Sequence, residues 1–438
     1  MNQSASDVRD TLSSAPMSGL QIAAVALSIA LNAIDGLDVL AMSFAAPSIS
    51  SEWRIAPALL GVTISSGLAG MAAGSLFVAP MGDRNGRRPL ILLCLTFMAV
   101  GMLLTAAAQS VLWLCIWRIV TGLGIGGMVA VLGAVCAEFA NERRRDLCVA
   151  LMTIGYPIGG LLGGLVAAEL VHFHGWRSIF AFGGCLTAIF VPLVWFFLPE
   201  SLLHLQRQRS PGALQQMNAI LARMGHRPLL TFGADVPPAG GSSGGLRELL
   251  GGSYRRLTLL LIAAYCLHIL TFYFYSGWLP KLMSDLGYST PEAIRTSAVM
   301  SMGGVLGGIA LGWMAPAFGL RRQVVAAMIG TAVAMVIFGN VQGLSALRIM
   351  AFVVGIFMFG GIVGLYASLA RAFPVRMRVT GTGLAIGLGR GGAVAGPIVG
   401  GLLLEAGLRM GLVLSTVGVC ALAAALALAL APNPHETT

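Results

Sequence analysis

Residues 82–88 read GDRNGRR and lie between two long apolar stretches, and a weaker copy, PAFGLRR, occupies residues 316–322. The second copy begins 233 positions after Asp83 and carries a proline in place of that acid. The same shift of 233 residues matches Gly70 with Gly303 and Gly122 with Gly355. A constant shift over so much of the chain predicts a duplication, with the same order of helices and loops in each copy.

The stretches on both sides of these loops are long enough to cross a membrane. A spanning helix needs about 20 apolar residues, and twelve windows qualify, the first at 20–46 and the seventh at 257–279. The predicted fold class is therefore an all-α membrane protein with 12 transmembrane helices in two six-helix halves. Parallel repeats of this kind place a substrate site near the middle of the membrane, between the halves. The predicted parts are an N-terminal bundle with a short cytoplasmic tail, a cytoplasmic linker with a Pro/Gly/Ser run, and a C-terminal bundle: 1–198, 199–256 and 257–438.

Composition and charge exclude a soluble protein. Hydrophobic residues make up 57% of the chain and charged residues 10%, whereas a soluble domain has about a quarter of its residues charged. The net charge of +10 would suggest nucleic-acid binding, but most of the 27 Lys and Arg residues lie in the tail and in alternate loops. This bias predicts a multi-pass protein of the bacterial inner membrane with both termini in the cytoplasm. The seven cysteines all lie in apolar stretches and predict neither disulfides nor a metal site.

Ionisable residues deep in the spans are the main candidates for function. Asp35 and Asp38 lie about 16 and 12 Å below the outer end of helix 1, at 1.5 Å of rise per residue. By the same arithmetic, Arg118 in helix 4, His268 in helix 7 and Arg390 in helix 11 lie about 10 to 16 Å inside the membrane. Charged residues inside a membrane are costly, which predicts a polar cavity with a proton site and an anion site. The alternatives are buried pairs that only hold helices together and, for His268, a ring satisfied by a neighbour.

The basic loop after helix 2 is predicted to form an inner gate. Asp83 can pair with arginine or with a helix N-terminus, and Gly86 permits a tight turn. Glu138 at the cytoplasmic end of helix 4 is the expected ion-pair partner of this loop, together with the arginines at 143–145. The alternative is an ordinary basic turn facing the cytoplasm. The glycine string of helix 4, at 122–127, is interpreted as close helix packing.

The loop at 82–88 resembles the signature loop of the major facilitator superfamily, although Ala79 stands where that signature begins with glycine. Two further motifs resemble the aromatic acid:H⁺ symporter family, and specifically its 4-hydroxybenzoate/protocatechuate permeases. The first is Asp35-Gly36-Leu37-Asp38, where the family has D-G-x-D, accompanied by Arg118 and Glu138. The second is the run from Phe373 to Pro397, which includes Arg378 and Arg390. The resemblance implies the major facilitator fold and a need for Asp35, Asp38, Arg378 and Arg390 in transport.

These observations together predict proton-coupled import of a hydroxybenzoate-like aromatic carboxylate by alternating access, with no cofactor and no metal. The expected partners are the aromatic acid, protons and the lipid bilayer, with no nucleic acid, and the protein is expected to be a monomer. Two alternatives stay open: a proton-driven antiporter that exports amphipathic compounds, favoured by a faint antiporter-like motif in helix 5, and a symporter for a non-aromatic organic acid. An enzyme is not expected, because no nucleophile–base pair and no catalytic residue can be identified.

The predicted site residues fall into three groups. Arg390, Tyr156 and His268 are expected to bind the substrate, because an arginine fork takes two carboxylate oxygens and Tyr156 aligns within one residue of Arg390 in the repeat. Proton coupling is assigned to Asp35, Asp38 and Arg118. The inner gate is expected to comprise the following residues: Asp83, Arg84, Arg87, Arg88, Glu138 and Arg378.

Overall fold

The computed structural model describes residues 16–232, 249–251, 254–374 and 377–432, and within them twelve helices are long and apolar enough to cross a membrane. No strand occurs in these described ranges, which confirms the predicted all-α class. The membrane helices are α1 Gly19–Trp53, α2 Pro57–Ala73, α3 Arg87–Ala106, α4 Val111–Phe139, α5 Arg145–His174, α6 Arg177–Phe197, α7 Arg255–Asp285, α8 Thr290–Phe318, α9 Leu320–Phe338, α10 Leu344–Ala372, α11 Arg378–Glu405 and α12 Met410–Leu430. A π-helical segment, Gly74–Val78, continues α2.

Helices α1 and α7 both extend beyond the predicted apolar windows, and the ends of α1 are defined by local capping signals. Helix α1 begins at a capping box in which Ser18 and Gln21 exchange hydrogen bonds, and it ends where Arg54 adopts a left-handed conformation. Its last turns pass through Pro47 and reach Glu52, which bonds to the indole nitrogen of Trp176 at 2.7 Å. A predicted apolar window ends where the apolar residues stop. The helix itself continues, with its backbone hydrogen bonds, until a capping residue ends it.

Glycines bring helix backbones into contact at equivalent places in the two halves. A Cβ on Gly70 would lie 2.2 Å from the carbonyl oxygen of Ile119, and a Cβ on Gly303 would lie 2.1 Å from that of Phe352. Both members of the second pair are 233 positions beyond the first, so the α2–α4 contact recurs as the α8–α10 contact. The glycines of α4 take part in this packing: a Cβ on Gly122 would lie 2.1 Å from the carbonyl oxygen of Gly67. Small residues at such crossings are what close helix packing in membranes requires.

The two halves meet mainly toward one face of the bundle. We call the helix ends near Phe197 and Arg255 the linker face, and the opposite ends the distal face. Toward the distal face, α2 packs on α11 and α5 packs on α8. The contacts there include Ser65 with the Val394 carbonyl at 2.7 Å, and a Cβ on Gly61 would lie 2.5 Å from the carbonyl oxygen of Pro397.

Toward the linker face the same helix pairs separate. A Cβ on Gly387 of α11 would still reach Leu76, and one on Gly308 of α8 would still reach Ile154 of α5, each at 3.9 Å. One turn nearer the linker face, a Cβ on Gly383 of α11 or on Gly312 of α8 would meet no atom of the described residues within 4 Å. Tyr366 of α10 is 37% exposed although it lies within a span. The space between the halves is therefore closed at the distal face and widens toward the linker face.

The start of the predicted linker is helical. Two short helices, Leu202–Gln208 and Pro211–Arg223, follow α6, and they bury Leu205, Met217 and Leu221 against the core of the first half. This part of 199–256 is thus packed rather than extended. The Pro/Gly/Ser run at 236–245 lies outside the described residues.

Candidate functional site

Asp38 and Arg118 lie together inside the first half. Both are almost completely buried, and Nη2 of Arg118 donates to the backbone carbonyl of Asp38 at 2.9 Å. The Asp38 carboxylate accepts a hydrogen bond of 3.4 Å from Thr187 of α6. The rest of the guanidinium group contacts the sulfur of Met102 at 3.2 Å and lies over the ring of Phe180. Arg118 therefore holds the α1 backbone at Asp38, and all of its named contacts are within one half.

Asp35, one turn earlier on α1, lies within range of a charge from the second half. It is 1% exposed, and its charge interacts with that of Asp38 and with that of Arg390 on α11. Oδ1 of Asp35 is buried and has no hydrogen-bond partner among the described residues. Nη1 of Arg390 donates to the carbonyl oxygen of Met71 in α2 at 3.3 Å. The Arg390 side chain thus reaches from the second half to the first. The two acids of α1 therefore have different neighbours: Asp38 has Arg118 of the first half, and Asp35 is within range of Arg390 of the second.

The glycine between the two acids fixes the position of α1 beside α5. A Cβ on Gly36 would lie 2.1 Å from the carbonyl oxygen of Tyr156, so the two backbones touch at this point. Any larger residue would push α5 away from α1. This contact places the side chain of Tyr156 within range of the Asp35 charge.

Tyrosine hydroxyls surround the Asp35–Arg390 region. Tyr265 and Tyr273 of α7 both interact electrostatically with Arg390, and Tyr156 and Tyr273 both interact with Asp35. The hydroxyls of Tyr265 and Tyr366 are 3.2 Å apart. The ring of Phe359 in α10 lies 6.3 Å from that of Tyr156, centroid to centroid. A buried cation among aromatic rings is suited to an aromatic anion, since the guanidinium can take the carboxylate and the rings can take the apolar body.

His268 lies within the second half. Its ring is completely buried, Nε2 is 3.1 Å from the carbonyl oxygen of Met358, and a Cβ on Gly361 would lie 2.7 Å from the ring. This imidazole is wedged between α7 and α10. No described contact brings it to Arg390 or to the two acids.

At the linker face, part of the predicted gate is assembled within the first half. Arg87 forms an ion pair with Glu138, and the hydroxyl of Ser201 donates to the same carboxylate at 2.6 Å. Glu200 accepts from the backbone N–H groups of Arg87 at 2.8 Å and of Arg88 at 3.4 Å, at the start of α3. A carboxylate at a helix N-terminus is stabilised by the unpaired N–H groups there. The loop after α2 is therefore tied to α4 and to the start of the linker.

Three other predicted gate residues are not part of this cluster. Asp83 and Arg84 are exposed, and neither makes an ion pair or a side-chain hydrogen bond within the described residues. Arg378 begins α11, and its side chain lies outside the described part of the chain. In this conformation the loop contacts involve Arg87 and Arg88 rather than the acid of the signature.

Sequence reasoning missed several residues that the structure brings to these places. Tyr265 and Tyr366 were not singled out, although a tyrosine inside an apolar span is itself a signal, since its hydroxyl needs a partner there. Glu200 and Ser201 follow the sixth span directly, where an acid beside a serine could have been recognised as a helix-capping pair. Thr187 has no signal of its own, because threonines are common in membrane helices.

Comparison with known proteins shows the family to which the chain belongs. The sequence profile described as Major Facilitator Superfamily matches residues 27–339 and again 261–438. The gallate transporter of Pseudomonas putida is 32% identical over 96% of this chain and 94% of its own length. The 4-hydroxybenzoate transporter PcaK of Pseudomonas aeruginosa is 30% identical over 92% of this chain and 90% of its own.

A solved transporter structure has a similar fold, at a lower sequence identity than the relatives above. The xylose transporter XylE from E. coli, in a partially occluded inward open conformation, superposes with a TM-score of 0.71 at 17% identity, covering 93% of this chain and 97% of that one. At this identity the likeness concerns the fold alone. The chain is therefore a transporter and not an enzyme, and it belongs to the major facilitator superfamily, in the branch that contains the aromatic acid permeases.

Proposed function

We propose that this protein imports an aromatic carboxylate together with protons across the bacterial inner membrane, by alternating access. The observation that carries the proposal is Arg390, a buried cation that spans the interface between the halves and lies among tyrosine rings. A guanidinium group binds a carboxylate through two parallel hydrogen bonds, which fixes the orientation of the ring attached to it. Tyr156 would then contact the ring.

The names of the relatives support the choice of substrate. Relatives that span most of this chain are described as transporters of gallate, 4-hydroxybenzoate and gentisate. All three are ring-hydroxylated benzoates that carry one carboxylate. Other relatives are described as transporters of benzoate, niacin and 3-(3-hydroxy-phenyl)propionate. The shared chemistry is a carboxylate on or near an aromatic ring, which matches one arginine beside several aromatic side chains.

Coupling to protons follows from competition for Arg390. Asp35 is buried within range of the Arg390 charge, and no ion pair joins the two side chains among the described contacts. A substrate carboxylate that engages the guanidinium takes that cation away from Asp35. Arg118 stays beside Asp38, so Asp35 becomes the buried carboxylate without a nearby cation. A buried carboxylate in that position favours its neutral form, so Asp35 takes up a proton as the substrate binds. Asp38 and Arg118 would hold α1 in place for this exchange.

The conformation and the charge bias supply the remaining parts of the cycle. The excess of Lys and Arg in alternate loops favours a cytoplasmic linker face, and with that orientation the cavity that widens toward this face is an inward-facing one. Opening to the outside requires the α2–α11 and α5–α8 contacts to break. The Arg87–Glu138 cluster and the rest of the signature loop would then form the inner gate, with Arg378 at the start of α11 as a further member.

Transport by the purified protein in liposomes tests the proposal. With an inside-alkaline proton gradient, we expect labelled 4-hydroxybenzoate to accumulate inside, and we expect no accumulation with Arg390→Ala. A proton ionophore should abolish accumulation while leaving exchange of labelled for unlabelled substrate. Movement of substrate against the direction of proton flow would identify an antiporter, and no transport of any aromatic carboxylate would remove the substrate assignment.

A further inference from the structure

Four tyrosines surround the proposed carboxylate site, and they form two pairs. Tyr265 and Tyr366 belong to the second half; their hydroxyls are 3.2 Å apart and their ring centroids 5.9 Å apart. Tyr156 and Tyr273 come from different halves, on α5 and α7, and their hydroxyl groups interact. Each pair contains a member that interacts with the charge of Arg390.

Aromatic rings without a hydroxyl group also pack these helices together. The same region contains Phe272 and Phe359, whose rings meet at 5.0 Å, so phenylalanine already fills comparable positions in α7 and α10. A tyrosine in an apolar span must find a partner for its hydroxyl, and an unpaired one is costly. Oη of Tyr156 is buried and makes no hydrogen bond of normal geometry with the described residues. Such a group is poised to bond to something that enters the cavity.

We propose that the two tyrosine pairs recognise hydroxyl groups on the substrate ring, so that the protein selects hydroxylated benzoates over benzoate itself. This inference rests on the proposed function and adds the determinant of specificity. With the carboxylate on Arg390, the ring extends into the space between α5, α7 and α10, where the phenol groups can donate to or accept from a ring hydroxyl. A buried site that is built to bond to a hydroxyl discriminates strongly against an analogue that lacks it, because its own polar groups are then left unpaired.

Tyr265 and Tyr273 are both on α7, but their partners lie on different helices, Tyr366 on α10 and Tyr156 on α5. The two pairs would therefore read different positions on the ring. Tyr265 and Tyr366 lie within the second half, whereas the Tyr156–Tyr273 pair joins the halves. A benzoate with two or three adjacent hydroxyls could engage both pairs at once. We therefore expect affinity to rise from benzoate to monohydroxybenzoates and again to 3,4-dihydroxy- and 3,4,5-trihydroxybenzoate.

The variants Tyr273→Phe and Tyr366→Phe remove one hydroxyl from each pair, and Tyr275→Phe is the matched control. Tyr275 is on α7, is completely buried, and packs its ring on Phe338 of α9 with centroids 5.5 Å apart. Its hydroxyl also lacks a partner among the described residues. The control therefore removes a tyrosine hydroxyl from the same helix as Tyr273→Phe does. The residue that it changes packs against α9 and does not lie beside Arg390.

The experiment measures the dissociation constants of benzoate, 3- and 4-hydroxybenzoate, and 3,4-dihydroxy- and 3,4,5-trihydroxybenzoate for the full-length protein in lipid nanodiscs. We expect the Tyr273→Phe and Tyr366→Phe variants each to lose about tenfold in affinity for a hydroxylated ligand. Their affinity for benzoate should fall much less than their affinity for a hydroxylated ligand, and an unchanged midpoint of thermal unfolding without ligand should show that they are folded. The Tyr275→Phe variant should match the wild type throughout.

Three results would overturn the inference. Wild-type protein that binds benzoate as tightly as its hydroxylated analogues would refute the selection while leaving aromatic acid transport intact. Equal losses for benzoate and for hydroxybenzoates in the tyrosine variants would mean that these residues only shape the cavity. If no aromatic carboxylate binds to the wild type at all, the proposed function fails, and the inference fails with it.

Discussion

At the distal face, several polar contacts join the two halves, whereas the described polar contacts at the linker face join parts of the same half. Glu169 of α5 pairs with Arg295 of α8, and Glu405 of α11 accepts from the backbone N–H of Ala58 in α2 at 2.9 Å. Nearer the centre, the hydroxyl of Ser43 donates to the carbonyl oxygen of Ser276, its mate in the repeat, at 2.6 Å. Since these contacts cross between the halves, they must break when the distal face opens.

The linker-face contacts have the opposite property. Arg88 donates to the carbonyl oxygen of Trp195 at the end of α6, and Arg321 donates to that of Leu428 at the end of α12, at 3.1 Å. These two pairs are again separated by 233 positions, so each half closes its own end with the same arginine. The last carbonyl oxygens of a helix have no partner within it, and an arginine side chain placed next to them can donate to them. Capping the end of a helix in this way does not require an acidic residue. The second loop can therefore keep Arg321 although it has Pro316 at the position equivalent to Asp83.

If the protein works by the proposed alternating access, we expect the halves to move as rigid bodies about the central site. Contacts within a half should then persist through the cycle, and contacts between the halves should form and break. The bond from Arg118 to the carbonyl oxygen of Asp38 is of the first kind, and the bond from Arg390 to the carbonyl oxygen of Met71 is of the second. Variants at matched positions can separate the two kinds, by changing either the stability of a half or the balance between conformations.

Arg390 should show the largest effect, because it is the charged contact between the halves at the site itself. Truncating one partner of a buried charge pair costs about 2–5 kcal/mol, which is at least about thirtyfold in affinity. We expect Arg390→Ala to abolish measurable binding of 4-hydroxybenzoate by calorimetry. Arg390→Lys keeps the charge but loses the two-pronged geometry, so it should recover only a small part of the affinity. Binding that is unchanged in Arg390→Ala would remove this residue from the substrate site.

The two acids of α1 should separate in their effects on coupling. Asp35→Asn leaves Arg390 permanently free for the substrate, so we expect exchange of labelled substrate to continue while proton-driven accumulation is lost. Asp38→Asn alters a contact within the first half, so it should reduce accumulation and exchange together. Both are measured in the same liposomes, with and without a proton gradient. Accumulation against a gradient by Asp35→Asn would show that the proton is carried elsewhere.

Much of the architecture could be predicted because it depends on local pattern. Apolar windows of sufficient length indicate the twelve helices, and the cost of burying charge in a membrane singles out residues such as Asp35 and Arg390. What could not be predicted depends on how each helix is rotated and which end is closed. Tyr366 is an ordinary aromatic residue until α10 is placed beside α7. Likewise, the pairing of Glu169 with Arg295 exists only in a conformation closed at the distal face.

Glu200 and Glu405 form a matched pair for testing the comparison of the two faces. Each carboxylate accepts from backbone N–H groups at the start of a helix, but Glu200 does so within the first half and Glu405 does so across the halves. Loss of such a cap costs about 1 kcal/mol. We expect Glu200→Gln to lower the midpoint of thermal unfolding by about 2 °C without changing amide exchange at the distal face. Glu405→Gln should raise exchange at the distal ends of α2 and α11 with little change in the midpoint. The reverse pattern would contradict the assignment of the two faces.

The smallest effect is expected from the exposed ion pairs at the distal face, which also come as a matched set. Glu169–Arg295 joins α5 to α8 across the halves, and Glu52–Arg177 joins α1 to α6 within the first half, with partly exposed partners in both cases. An exposed pair contributes about 0.2–1 kcal/mol, so Arg295→Gln should shift the balance between conformations by no more than about fivefold. The shift should be toward the form open at the distal face, because only this pair has to break on opening. Amide exchange at the distal ends of α5 and α8 measures it, and the exchange should rise for Arg295→Gln and stay at the wild-type rate for Arg177→Gln. Equal changes in the two variants would mean that surface charge, rather than contact between the halves, sets the balance.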